Sequence, residues 1–473
     1  MLRLLYMLLL SFSFLAGSAQ KNEIPEKNWA LVRSYIEQQT NFSGMVMLGT
    51  NGEIKINQGY GHADRENKIP FTDQSLYTIG SITKPFTATA IMLLYSKGKI
   101  SLTDPIDLYF NNVPADKKQI TIHQLLTHSS GLPGAIGDDY EAIDDITFQQ
   151  RAWTQPLLFS PGTGYEYSNV GYSLLGMIVE KSSGEKYSTF LENHIFQPAG
   201  MRTAGYQNPD ADYNQLVHGY TQDGADWGTS HDKKWNGDEP YWHLKANGGI
   251  LMSAKDMYQW YLALRENKIL SPELLKLQTT PFVDEGGGSY YSYGYAVDQE
   301  GECVQHNGSN RIFKADFRWF PKKDFFFFSA SNDANVRLFK LNDEIINILM
   351  TGELPVVDNW QPVSETTFPS DENQVTAKAF IDFLFSYSDQ KADIFIPEYC
   401  SADMIKRNGE ARLKEVFGML HNDADHQSAK KISTSGDKIQ ISMDTKEGDG
   451  RLKIILFMAD HQIDRIGAEI EGK

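Results

Sequence analysis

A serine three residues ahead of a lysine can act as a nucleophile beside its base when a helix stacks both side chains on one face. Ser81 and Lys84 stand in this relation within Gly80-Ser81-Ile82-Thr83-Lys84, ahead of the apolar series Phe86, Ala90, Leu93 and Leu94. The S-x-x-K spacing also begins at Ser18, Ser96, Ser183, Ser230, Ser388, Ser428 and Ser435, so spacing alone selects nothing. Ser81 differs in following an extended run (76–79) and a glycine and in opening a long apolar helix. A helix N-terminus there favours a developing oxyanion. A capping serine beside a solvated first-turn lysine fits the same pattern.

Two other groups carry comparable chemistry. Tyr167-Ser168-Asn169 precedes a second apolar stretch. A phenol of ordinary pKa ~10 serves as a base near neutrality only where a cation stabilises its phenolate, and Lys84 is the candidate cation. Asn169 brings an amide that can donate to a substrate and accept from Lys84. Y-x-N recurs at Tyr109 and Tyr206, and a capping Ser168 among packed aromatics is the plainer reading. His306-Asn307-Gly308-Ser309 ends an extended run; a glycine there admits a ligand or another backbone against the strand edge, or simply makes a turn.

The elements that must position these groups follow from hydrophobic period. Apolar residues Trp29, Val32, Tyr35 and Ile36 predict a helix over 28–39. Runs 42–50 and 53–60 read as strands joined by Asn51-Gly52, a strong hairpin signal. Helices are expected over 81–97 (half-buried), 121–127, 168–181, 187–196, 253–266 and 335–350, with Ser253 and Asp256 at capping-box spacing. Strands are expected over 290–297, 302–306, 314–320 and 325–331. With strands at both ends and helices between, the simplest α+β assembly is one antiparallel sheet flanked by helices, with an all-helical subdomain on its edge. The stretch 352–371, aperiodic and holding three prolines, reads as a linker. Residues 372–473 then form a small α+β domain with helices over 374–385 and 401–420 and a meander of strands over 430–435, 438–443, 451–458 and 462–470. It holds no chemical constellation.

Composition limits the function classes. The 473 residues are 41% hydrophobic, ordinary globular material for two or three domains. A formal net charge of -17, from 44 basic and 61 acidic residues, disfavours nucleic acid and anionic membrane surfaces as partners. Arg3, the apolar run 4–16 and the small residues Gly17-Ser18-Ala19 read as an export signal over 1–19, too short to span a bilayer comfortably. A retained N-terminal anchor is the alternative. Cys303 and Cys400 are the sole cysteines, too few for a disulfide framework or a zinc site; they read as two unpaired buried thiols, a disulfide tying two domains together being the alternative.

The three groups, in this order, resemble the serine β-lactamase and penicillin-binding protein superfamily, most closely its class C β-lactamase and esterase-like branch. LLTHSSGLPG (125–134), PGTGYEYSNVGYSLLG (161–176) and NGGILMSAKDM (247–257) also look like this family, and the likeness covers about 25–350. It implies a hydrolase domain over 20–351, acting on a small-molecule or peptide substrate without metal or organic cofactor. It implies Ser81 as the nucleophile of an acyl-enzyme and Lys84 taking or relaying its proton. Tyr167 would be base for attack and acid to the leaving group, Asn169 would hold the substrate amide, and the Ser81 and Ser309 N–H groups would form the oxyanion hole. Where β-lactam-acting members carry Lys-Thr-Gly, this chain has His306-Asn307-Gly308. A histidine of ordinary pKa ~6.5 holds a substrate carboxylate weakly at pH 7 and should make activity vary between pH 5 and 8. The expectation is therefore an exported hydrolase of esters or of D-amino-acid-containing peptides and amides, periplasmic or secreted. The alternatives are a true β-lactamase or DD-carboxypeptidase and a non-catalytic ligand-binding relative.

Overall fold

The computed structural model describes residues 24–355 and 361–471, apart from 40, 234, 311, 364–371, 426–430, 436 and 447–450. The expected signal over 1–19 lies outside the described residues. The chain divides into two compact units, Met1–Pro355 and Val356–Lys473.

The first unit is built on an eight-stranded antiparallel sheet that joins the two ends of its sequence. Strand order is Glu53–Tyr60, Gly44–Thr50, Phe325–Ser331, Lys314–Phe320, Val304–Ser309, Ala296–Asp298, Ser289–Tyr291 and Val283–Gly286. Gly44–Thr50 pairs with Phe325–Ser331 in unbroken register from Gly44 opposite Ser331 to Thr50 opposite Phe325. Asn51 and Gly52, with φ of 54° and 75°, form the reversal that the Asn-Gly pair foretold.

Alternation along the central strands separates two cores. Phe325 and Phe327, with Val46 and Leu48, meet Trp29, Val32, Ile345 and Ile348 of the helices Glu26–Glu37 and Leu338–Thr351. Phe326 and Phe328, with Met45 and Met47, face the other way into a core shared with Phe86, Trp260, Leu174 and Ile178. Side chains of a strand point alternately to opposite faces, so a strand covered on both sides reads as the uninterrupted apolar run FFFF.

The helix Thr83–Ser96 lies inside that second core, buried from Thr83 to Met92, where its apolar spacing predicted half burial. Phe86 packs on Trp260 at 4.8 Å and on Phe196 at 5.5 Å between ring centroids. The helices Asn169–Ser183 and Ala254–Arg265 and the sheet surround it, which no single-helix pattern reveals. The middle of the unit is also not wholly helical, since Gly219–Tyr220 pairs with Asp226–Gly228 and Tyr77–Thr78 with Leu251–Met252. The expected strand 290–297 is two strands, folded back where Ser292 N–H donates to Tyr295 O at 2.8 Å. Ser253 caps as expected, accepting from Asp256 N–H at 3.2 Å. Asp256 turns away to accept from Arg202 and Thr203 N–H.

Among the described residues the second unit has a five-stranded antiparallel sheet and four helices. Part of the expected linker belongs to it: Gln361–Val363 pairs with Lys431–Ser435. The expected helix 401–420 is two helices, Ala402–Asn408 and Glu410–Asp423, parted at Gly409 with φ of 75°. The unanticipated helix Asp389–Tyr399 carries Pro397 within it. Its Phe395 stacks on Phe383 at 4.2 Å, so packing outweighs the proline. Cys303 of the first unit and Cys400 of the second are free thiols, each pushed by burial to a pKa of about 12.

Candidate active site

Ser81 lies in the 3-10 turn Gly80–Ile82 that leads into the helix Thr83–Ser96, and Lys84 follows one turn inside, fully buried. Lys84 Nζ lies 3.2 Å from Ser81 Oγ, 2.8 Å from Asn169 Oδ1 and 2.9 Å from Asn247 O. Two of these partners only accept, whereas a hydroxyl can donate. An ammonium fills all three contacts by donating, and a neutral amine fills them by donating to Asn169 and Asn247 and turning its lone pair to the Ser81 hydroxyl. Burial pushes the Lys84 pKa well below the ordinary 10.5, opposed by the field of Asp139. Burial thus weakens the hold of Lys84 on its proton at a point 3.2 Å from the serine hydroxyl.

Tyr167 and Asn169 arrive on the N-terminal turn of the helix Asn169–Ser183. Ser168 is its cap, accepting from Gly171 N–H at 3.1 Å. Its own N–H donates to His128 Nδ1 at 2.9 Å, which leaves the His128 proton on Nε2. The Tyr167 ring sits 4.6 Å from Lys84 Nζ and 4.4 Å from the His128 ring, and its hydroxyl bonds Ser81. Burial pushes the Tyr167 phenol up; the bond to Ser81 pulls the other way, and the Glu285 carboxylate adds to the rise. This runs against a phenolate held by a Lys84 cation, because the same desolvation that discharges the lysine protects the phenol's proton.

The strand Val304–Ser309 closes the site from the other side. Here the sequence requires glycine: a Cβ on Gly308 would stand 1.9 Å from Ile79 O and 3.0 Å from Ser81 N. One on Gly80, whose φ is 54°, would stand 2.8 Å from Ser309 N. The two backbones therefore touch where the Ser81 and Ser309 N–H groups lie. Asn307 and Ser309 are exposed and His306 is buried. His306 Nδ1 donates to Asn307 O at 2.6 Å, and its Nε2 lies 3.1 Å from Tyr291 Oη. Burial lowers its pKa to about 3, with the field of Lys84 acting in the same direction and the Asn307 bond opposing. The expectation that His306 titrates between pH 5 and 8 is thereby corrected: desolvation removes its ionisation from that range.

All the groups singled out in the sequence meet here, together with four that were not. Asn247 supplies the second acceptor for Lys84, from 163 residues away. His128 supports Tyr167, and Tyr291 orients His306. Glu285 lines a cavity of about 290 Å³ with Tyr167, Ser289, Tyr291, Gln305 and His306. Asn247 and His128 fall inside NGGILMSAKDM and LLTHSSGLPG, so a signal existed for them; Glu285, next to three glycines, had none. Among the described residues no group of acidic, histidine or cysteine side chains is arranged to hold a metal ion.

The Beta-lactamase family profile matches residues 30–349, and the chain belongs to that family. The proteins it resembles include bacterial penicillin-binding proteins. The Bacillus subtilis protein PbpX, named for penicillin binding, is 34% identical over 267 residues, covering 56% of this chain and 64% of PbpX. A second Bacillus subtilis penicillin-binding protein is 27% identical over 289 residues, covering 57% of this chain and 64% of its own. The chain thus matches a little under two thirds of the length of either relative. The solved penicillin-binding protein of Bacillus halodurans superposes with a TM-score of 0.57 at 26% identity, over 67% of this chain and 99% of that one. Fold and family together place the chain in the β-lactamase and penicillin-binding protein class.

Proposed function

We infer that the chain is an exported serine hydrolase that forms an acyl-enzyme on Ser81 and acts on esters or on D-amino-acid-containing peptides and amides. The observation that carries this is the three-partner environment of Lys84 Nζ, in which the one partner able to donate is Ser81 Oγ. Lys84 takes the Ser81 proton as Oγ bonds to the substrate carbonyl carbon. The oxygen that gains charge lies between the Ser81 and Ser309 N–H groups, donors typically worth ~3–4 kcal/mol each in such sites. Tyr167 gives its proton to the departing oxygen or nitrogen, and the proton held by Lys84 restores the phenol. Water then attacks the acyl-enzyme, the same groups running in reverse, and frees Ser81. Asn169 holds Lys84 in line and faces the substrate amide. The leader over 1–19 directs the chain to the periplasm or the exterior.

The neutral His306 favours this substrate range over β-lactams, because the anionic carboxylate of a β-lactam finds no fixed charge at the place where related enzymes keep a lysine. The test is a turnover panel of short-chain p-nitrophenyl esters, D-alanyl amides and nitrocefin. Esters or D-alanyl amides should turn over and nitrocefin should lag; Tyr167→Phe should slow the preferred substrate about 10²–10³-fold, the usual share of a general acid. Faster nitrocefin turnover than ester turnover would instead make the chain a β-lactamase. Unchanged rates in Tyr167→Phe would remove that residue from the proton path.

A further inference from the structure

The cavity beside Tyr167 has a charge arrangement opposite to one built for carboxylates. Among its described lining residues Glu285 carries the one formal charge, and the others are phenols, a serine, an alanine, two amides and His306. Glu285 sits on the edge strand Val283–Gly286, half-buried, with a Gly286-Gly287-Gly288 reversal returning the chain to Ser289–Tyr291. Its carboxylate is fixed rather than free: Oε2 accepts from Tyr165 Oη at 2.8 Å, and Oε1 accepts from Ser289 Oγ. Two such bonds leave carboxylate lone pairs unused on each oxygen. The Tyr167 ring lies 6.1 Å from that of Tyr291 at 85°, and these two rings line the space that the carboxylate overlooks.

A carboxylate held among aromatic rings attracts a cation through charge and through the ring faces together. It repels an anion at short range where solvent screening is poor. We propose that this cavity is a subsite for a positively charged amine on the substrate, received by Glu285, which Tyr165 holds in place, beside the rings of Tyr167 and Tyr291. The inference rests on the acyl-enzyme reading above, since the subsite adjoins the Tyr167 hydroxyl that bonds Ser81. It narrows that reading to amine-bearing acyl or leaving groups.

The experiment compares D-alanine benzyl ester, whose amine is mostly protonated at pH 7, with its N-acetyl and N-succinyl derivatives, neutral and anionic at that position. Benzyl alcohol release gives kcat/KM for each, and fluorophosphonate labelling of Ser81 is measured on the same preparations. The wild type should prefer the free amine over the acetyl ester at least tenfold and the acetyl over the succinyl ester. Glu285→Gln should lower the amine-to-acetyl ratio about tenfold, and Glu285→Lys should turn the order toward the succinyl ester. Ratios within one preparation cancel any loss of folded enzyme. Equal kcat/KM for the three esters, or a ratio unmoved by both substitutions, with Ser81 labelled, overturns the subsite and leaves the acyl-enzyme reading standing. No turnover and no label on Ser81 overturns both.

Discussion

Lys84→Met should lower kcat for the preferred ester by about 10³–10⁴-fold, toward the upper part of what a positioned base contributes. The substitution keeps side-chain length and removes the lone pair that faces Ser81 Oγ. It also strips Asn169 Oδ1 and Asn247 O of a common donor, so part of the loss arises from a site no longer held together. Lys84→Arg should fare no better, because guanidinium stays charged and cannot take a proton. The pH profile separates a base from a structural strut. In the wild type kcat/KM should rise with pH as Lys84 loses its proton, through an inflection well below 10.5, since burial has moved that ionisation down. No step between pH 5 and 8 should belong to His306, held near 3, and His306→Gln should keep the inflection of the wild type. An inflection that persists in Lys84→Met would assign the base to another residue.

Gly308→Ala should be nearly as damaging although it adds one methyl group. That methyl would enter within 1.9 Å of Ile79 O, so the strand must move away from the turn that carries Ser81. Overpacking of this kind costs about 1–3 kcal/mol. The displaced Ser309 N–H should cost a further factor of about 10²–10³ in kcat, as the loss of one oxyanion donor does. Gly171→Ala is the control. Its added Cβ would meet Leu125 and Ser168 atoms at 3.6 Å or more, an ordinary contact, inside the helix Asn169–Ser183. Alanine should stabilise that helix by up to about 1 kcal/mol. Thermal melts and ester turnover of the two variants give opposite outcomes if backbone contact at Gly308 matters; matched behaviour would discard the argument.

How much of this was legible in the sequence depended on the range over which each feature is determined. Local signals were sufficient for the Asn51-Gly52 reversal, the Ser168 and Ser253 caps and the strands around FFFF, because turn chemistry and period act within a few residues. The pairing of Gly44–Thr50 with Phe325–Ser331 was also foreseeable, since strands at both ends of the unit with helices between leave few sheets to build. What sequence pattern missed is set by distant chain. Lys84 looked like a solvated first-turn lysine as readily as a base, and only neighbours 85 and 163 residues away bury it and give it acceptors. His306 was assigned an ordinary pKa for the same reason: its burial beneath Tyr291 cannot be read from His-Asn-Gly. The helix Asp389–Tyr399, which carries Pro397 within it, went unseen, and stacking of Phe395 on Phe383 supports it from outside the segment.

The central claim is that Ser81 becomes covalently acylated, and peptide mass spectrometry after reaction with a fluorophosphonate tests it directly. One adduct per chain should map to the peptide that holds Ser81. Labelling should be abolished in Ser81→Ala, a variant whose melting temperature should stay close to wild type because the side chain lies partly exposed at the mouth of the cleft. An adduct on a different residue, or undiminished labelling of Ser81→Ala, would contradict the account.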